Sequence, residues 1–180
     1  MHATPLAGLH RTAWVSLMAA LMAVGSYLSL PIGPVPFTMQ PFFVMLAGLV
    51  LGFPHALAAA SLFVTAGLIG LPVFTGGKAG LAVLLGPTGG YLVGYILATA
   101  AMGLIARGAE PTWRRGLLAA VPGLVLLYLF GVLNLMRVLD IGWEKALTIG
   151  FLPFILQDIA KMFMAIATWR FMHARGLLPR

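Results

Sequence analysis

Apolar runs of bilayer-crossing length follow one another along this sequence, joined by short stretches that are charged or rich in proline and glycine. A helix of about 20 apolar residues matches the thickness of a bilayer's hydrocarbon core. By that measure the chain reads as about six helices: 12–30, 42–53, 55–71, 91–106, 116–136 and 146–172. Charged residues are 8% of the 180 and hydrophobic ones 61%, whereas soluble domains carry roughly 25% charged residues. Such a chain cannot cover a water-facing surface. The expected fold is an all-α membrane protein, a single transmembrane domain over 1–180 with nothing left for a separate catalytic or nucleotide-binding domain. His10 and Arg11 ahead of an apolar run have the outline of a signal peptide. Five further apolar segments, and no evident small-residue cleavage site, favour a first span instead.

The net charge of +7 would suggest nucleic acid in a soluble protein. Here the cations stand at the ends of apolar runs, where membrane topology places them, so no nucleic-acid partner is expected. With both termini cytoplasmic, the inside holds seven arginines (Arg11, Arg107, Arg114, Arg115, Arg170, Arg175, Arg180) and the outside three cations (Lys78, Arg137, Lys145). That asymmetry satisfies the positive-inside rule. Cysteine is absent, which excludes disulfides, thiolate nucleophiles and cysteine metal sites. The four histidines (His2, His10, His55, His173) have no ligand spacing, and no metal is expected.

Two irregular segments fall on the outer side. Pro31–Pro41 holds four prolines in eleven residues, which forbids a regular helix. Pro72–Gly90 is glycine-rich and includes Gly76-Gly77-Lys78-Ala79-Gly80 and Gly86-Pro87-Thr88-Gly89-Gly90. It is not a phosphate-binding loop, because Ala79 stands where Ser or Thr must follow the lysine. Lipid cannot solvate irregular backbone, so such segments are either surface turns or the walls of an externally open cavity.

Asp158 and Lys161, in Gln157-Asp158-Ile159-Ala160-Lys161, carry the most chemistry. Their spacing places both on one helical face. Ionisable groups within a span face a bundle interior or a cavity, as a structural ion pair or as a ligand site. Pro153 is expected to kink this helix. Lys78 and surrounding backbone N–H groups suit a carboxylate. Phe37, Phe74, Tyr91 and Tyr95 could form an apolar wall or anchor the chain at the membrane interface. Asn134 is a further pocket candidate. In the first segment, Ser16/Ala20 and Ala19/Ala23 have the small-xxx-small spacing that lets another helix approach closely.

Val35-Pro36-Phe37-Thr38-Met39-Gln40, Gly70–Gly77, Leu84–Leu92 and Asp158-Ile159-Ala160-Lys161 together resemble the BioY family, the biotin-specific S-components of energy-coupling factor (ECF) transporters. The resemblance covers nearly the whole chain. It implies a six-helix protein of a prokaryotic cell membrane, not an enzyme and without a cofactor, that captures biotin outside. A transmembrane T-component and ABC-type ATPases would be its partners, and ATP would be used by them alone. It implies a substrate site at Asp158 and Lys161; Lys78, Tyr91, Gln40, Thr38, Phe74, Thr88 and Asn134 are further binding candidates. It also implies that Ala19 and Ala23 contact the T-component. Two other readings stay open at this point: an S-component for another vitamin, and a self-sufficient transporter using Asp158 as its proton site.

Overall fold

The computed structural model describes residues 5–31 and 33–179; His2 and Arg180 lie outside them. Six helices of twelve residues or more make the bundle: α1 (Pro5–Tyr27), α2 (Gln40–Leu51), α3 (His55–Leu68), α5 (Gly89–Ala106), α6 (Trp113–Leu139) and α8 (Leu152–Ala174). Two short helices, α4 (Leu81–Leu85) and α7 (Trp143–Gly150), lie in the connections. Helices α5, α6 and α8 are long and apolar enough to cross a membrane, whereas α2 and α3 are shorter apolar helices. Large side chains such as Leu118, Val125, Leu129 and Leu156 are exposed on α6 and α8. An apolar outer surface of this kind is stable when lipid covers it.

Helix α2 is the hub, packing on α1, α3, α5, α6 and α8, and most of its residues are buried. Helices α5 and α6 lie against each other through glycine. A Cβ at Gly90 would stand 2.2 Å from the Phe130 carbonyl oxygen and 2.3 Å from Asn134 Cβ. Only a residue without a side chain permits that approach.

The ends of the segments differ from the expected ones for local reasons. The first helix stops at Tyr27, and Ser29–Leu30 (β1) pairs antiparallel with Phe37–Thr38 (β2). Proline excluded a helix between them, but a hairpin closes over the gap. The expected single helix 146–172 is broken at Phe151, the residue shared by the end of α7 and the start of α8. Pro153 therefore stands in the first turn of α8, where its missing N–H has no helical partner to lose. It begins a helix rather than kinking one. Helix α4, inside the glycine-rich segment, is too short to show a periodicity.

Candidate functional site

The C-terminal ends of α1, α3 and α6 and the N-terminal ends of α2, α5 and α8 meet at one end of the bundle. The hairpin and the 72–80 turn lie over them. Between these elements is a cavity of about 430 Å³, within the roughly 300–1,000 Å³ range of small-molecule sites.

Its polar centre is on α8. Asp158 and Lys161 are 3% and 6% exposed, and Lys161 Nζ donates to Asp158 Oδ1 at 2.7 Å. The same ammonium donates to the Thr38 carbonyl at 2.7 Å, which ties α8 to β2. The Tyr128 hydroxyl donates to Asp158 Oδ2, also at 2.7 Å. Each carboxylate oxygen therefore holds one donor and keeps a second acceptor position, and the ammonium keeps one proton. A group with two N–H donors beside one carbonyl complements that remaining capacity.

Gln40, 3% exposed, forms the next part of the wall. Its Oε1 accepts from Thr75 Oγ1 at 3.3 Å and from the Tyr95 hydroxyl at 3.4 Å. Its backbone N–H donates to Thr38 Oγ1 at 3.3 Å. Phe74 is 1% exposed, with its ring edge-on to Phe63 and seated where a side chain on Gly67 would stand. The Tyr91 ring lines the cavity, but its hydroxyl is already used, donating to the Gly150 carbonyl at 2.6 Å. Thr88 is half-buried in the wall at the start of α5, and Lys78 is exposed at the rim.

Eight of the nine expected binding residues line the cavity: Asp158, Lys161, Gln40, Thr38, Phe74, Tyr91, Thr88 and Lys78. The Thr38 carbonyl also holds Lys161. Asn134 is not among the residues that line the cavity; its Nδ2 donates to the carbonyls of Gly86 and Pro87 at 2.9 and 3.2 Å, which fastens the α4–α5 turn. Phe37 is likewise outside the lining, its ring 4.6 Å from that of Phe154. Tyr128 and Phe154 line the cavity unforeseen. A hydroxyl in the middle of the fifth apolar run was the available signal for Tyr128, since a buried tyrosine needs a partner; Phe154 had none.

On α1, Ala19 is 7% exposed and packs in the core, and Ala23 is half-buried. Ser16 and Ala20 are the exposed small pair. Ala19 is thus largely covered within this chain, while Ala23 keeps part of its surface open.

An apolar bundle with a mostly apolar cavity at one end and a buried ion pair in its wall defines a solute-binding membrane protein. Residues 1–177 match the BioY family, and the chain belongs to that family. It is 44% identical to the biotin transporter BioY of Thermotoga maritima over 151 residues, 83% of this chain and 87% of that one. It is 43% identical to the probable biotin transporter BioY of Pyrococcus horikoshii, over 84% of this chain and 89% of the relative. In three dimensions it is similar to the crystal structure of the S-component for biotin from an ECF-type ABC transporter. That match has a TM-score of 0.89 and 26% identity, and covers 99% of this chain and all of the other.

Proposed function

We propose that the chain is a biotin-binding S-component, taking biotin from outside the cell and delivering it inward together with a T-component and ABC-type ATPases. One observation carries the reading. The Asp158–Lys161–Tyr128 cluster keeps two acceptor positions and one ammonium proton inside the cavity of a BioY-family chain. Biotin's ureido ring presents two N–H donors and one carbonyl. Asp158 accepts from the N–H groups and Lys161 donates to the carbonyl, while Thr38 holds the ammonium in place. The rings of Tyr91 and Phe74 bound the apolar body of the ligand. Thr88 and Gln40 border its tail, and Lys78 at the rim faces the carboxylate.

The cavity end faces outward in this reading. Six arginines of the described residues (Arg11, Arg107, Arg114, Arg115, Arg170, Arg175) stand toward the other end, against Lys78, Arg137 and Lys145 at the cavity end. That balance supports a multi-pass protein of the prokaryotic cell membrane with both termini cytoplasmic. The exposed Ser16 and Ala20 on α1 suit close approach by a helix of the T-component.

The test is binding of labelled biotin to the purified protein in detergent. Saturable binding displaced by unlabelled biotin, and not by excess thiamine or riboflavin, is the expected result. Displacement by another vitamin, or no saturable binding, would reject the assignment.

A further inference from the structure

A second cavity, of about 230 Å³, lies at the opposite end of the bundle from Asp158. Four parts of the chain line it: Arg11 and Trp14 on α1, Leu51 to His55 at the α2–α3 junction (through Leu51, Phe53, Pro54 and His55), Arg107 at the end of α5, and Pro179 beyond α8. Backbone contacts fix the wall. The Phe53 N–H donates to the Gly103 carbonyl at 3.0 Å, and the Arg107 N–H donates to the same oxygen at 3.1 Å. Gly103 permits that approach, since a Cβ there would stand 2.8 Å from the Phe53 nitrogen. The α2–α3 junction and the end of α5 are thus one unit, and it brings His55 and Arg107 to one cavity.

The positive-inside rule accounts for cations at this end of the bundle. It asks nothing of their grouping, and Arg114, Arg115, Arg170 and Arg175 satisfy it without lining a cavity. Two guanidinium groups and an imidazole from three separate elements around one hollow are a different arrangement. None of the described residues lining it is acidic, so the hollow complements an anion. Arg107 directly follows Ala106, the last residue of a helix able to cross a membrane, which sets it at headgroup level. Leu104, one turn before Arg107 on α5, is exposed on the apolar outer surface. A ligand that is anionic at one end and apolar at the other matches both surfaces. Basic pockets between transmembrane helices take lipid headgroups, and an arginine holds a phosphate through two parallel N–H bonds. We propose that Arg107 and His55, together with Arg11, hold the phosphate of an anionic phospholipid, with its chains along the bundle at Leu104. This site is independent of which solute the other cavity takes.

Native mass spectrometry of the detergent-purified protein tests it, with phosphatidylglycerol, phosphatidylcholine and inorganic phosphate as probes. The proteins are wild type, Arg107→Gln, His55→Gln and Arg175→Gln, the last at the same end but outside the cavity. Wild type should bind phosphatidylglycerol about tenfold or more tightly than phosphatidylcholine. Arg107→Gln should reduce that preference about fivefold, the effect of one basic residue near the surface. His55→Gln should reduce it less, and Arg175→Gln should leave it unchanged. Size-exclusion elution and the unfolding midpoint without lipid check that each variant folds. Should Arg107→Gln not fold, Arg107→Lys keeps the charge without the planar fork and should still lower the preference. Equal affinity of wild type for the two lipids overturns the site. Equal losses in Arg107→Gln and Arg175→Gln would also overturn it, because they would show a general attraction by the cationic end. Full displacement of the lipid by inorganic phosphate would make the ligand a soluble phosphate and overturn the lipid assignment.

Discussion

The Tyr128 hydroxyl donates to Asp158 Oδ2 at 2.7 Å from a position 30 residues earlier in the chain. The Asp158 carboxylate is thus held from two helices at once, by Lys161 on α8 and by Tyr128 on α6. A carboxylate held on both oxygens cannot rotate away from a ligand, and the ordering cost is met during folding rather than during binding.

Tyr128→Phe therefore tests positioning without removing a charge. The ring stays packed edge-on to Phe151 at 4.8 Å and to Tyr91 at 6.5 Å, so the fold is kept and the thermal unfolding midpoint should fall by several degrees, the share of the lost bond. One charge-assisted hydrogen bond is lost, about 1.5–3 kcal/mol for a bond to a charged group. Biotin affinity measured by calorimetry should fall by about tenfold or more. Unchanged affinity would show that Lys161 alone sets the carboxylate.

The membrane class and most of the cavity wall were legible in the sequence, because lipid imposes length and composition on each span and makes a mid-span charge conspicuous. Asp158, Lys161 and the two irregular segments stood out for that reason. Contacts between distant residues did not. The bond between Lys161 and the Thr38 carbonyl joins positions 123 apart, and no periodicity encodes it. The bonds of Asn134 are of the same kind, since the backbone it fastens, at Gly86 and Pro87, lies 48 and 47 positions away. On α1 the small residues form two overlapping pairs, and only the three-dimensional packing shows that Ala19 turns inward while Ser16 and Ala20 turn outward.

Orientation is checked by single cysteines, which the chain otherwise lacks. Lys78→Cys, at the exposed rim, and Thr88→Cys, in the wall, should react with a membrane-impermeant maleimide added to intact cells. Biotin should slow labelling of Thr88→Cys. Arg114→Cys, at the opposite end, should react only after permeabilisation. The reverse pattern would invert the topology.

Partner docking is checked by moving bulk onto each face of α1. Ala20→Trp places an indole on the exposed surface, so biotin binding by the isolated protein should be preserved while uptake by the assembled transporter falls sharply. Ala19→Trp forces the same ring into the core, where overpacking costs typically 1–3 kcal/mol. It should lower the unfolding midpoint and reduce binding together with uptake. Equal behaviour of the two variants would show that α1 does not present one face to a partner.

The remaining prediction separates a ligand site from a helix lock at Asp158 and Lys161. Asp158→Asn or Lys161→Met leaves the other charge buried without its partner, a loss on the order of 3–5 kcal/mol and a few hundredfold or more in affinity. Part of that loss is structural in either case, because an unpaired charge is unfavourable in a span whether or not biotin contacts it. The double variant Asp158→Asn/Lys161→Met removes both charges and so relieves that penalty. If the pair only locks α8, the double variant should regain stability and bind biotin like wild type. If the pair contacts the ureido ring, stability should return while binding stays lost, because Asn retains only part of the acceptor capacity and Met cannot donate. Thermal unfolding and labelled-biotin binding on the same four proteins, wild type, both single variants and the double, distinguish the two. The expected pattern is recovery of the first without the second.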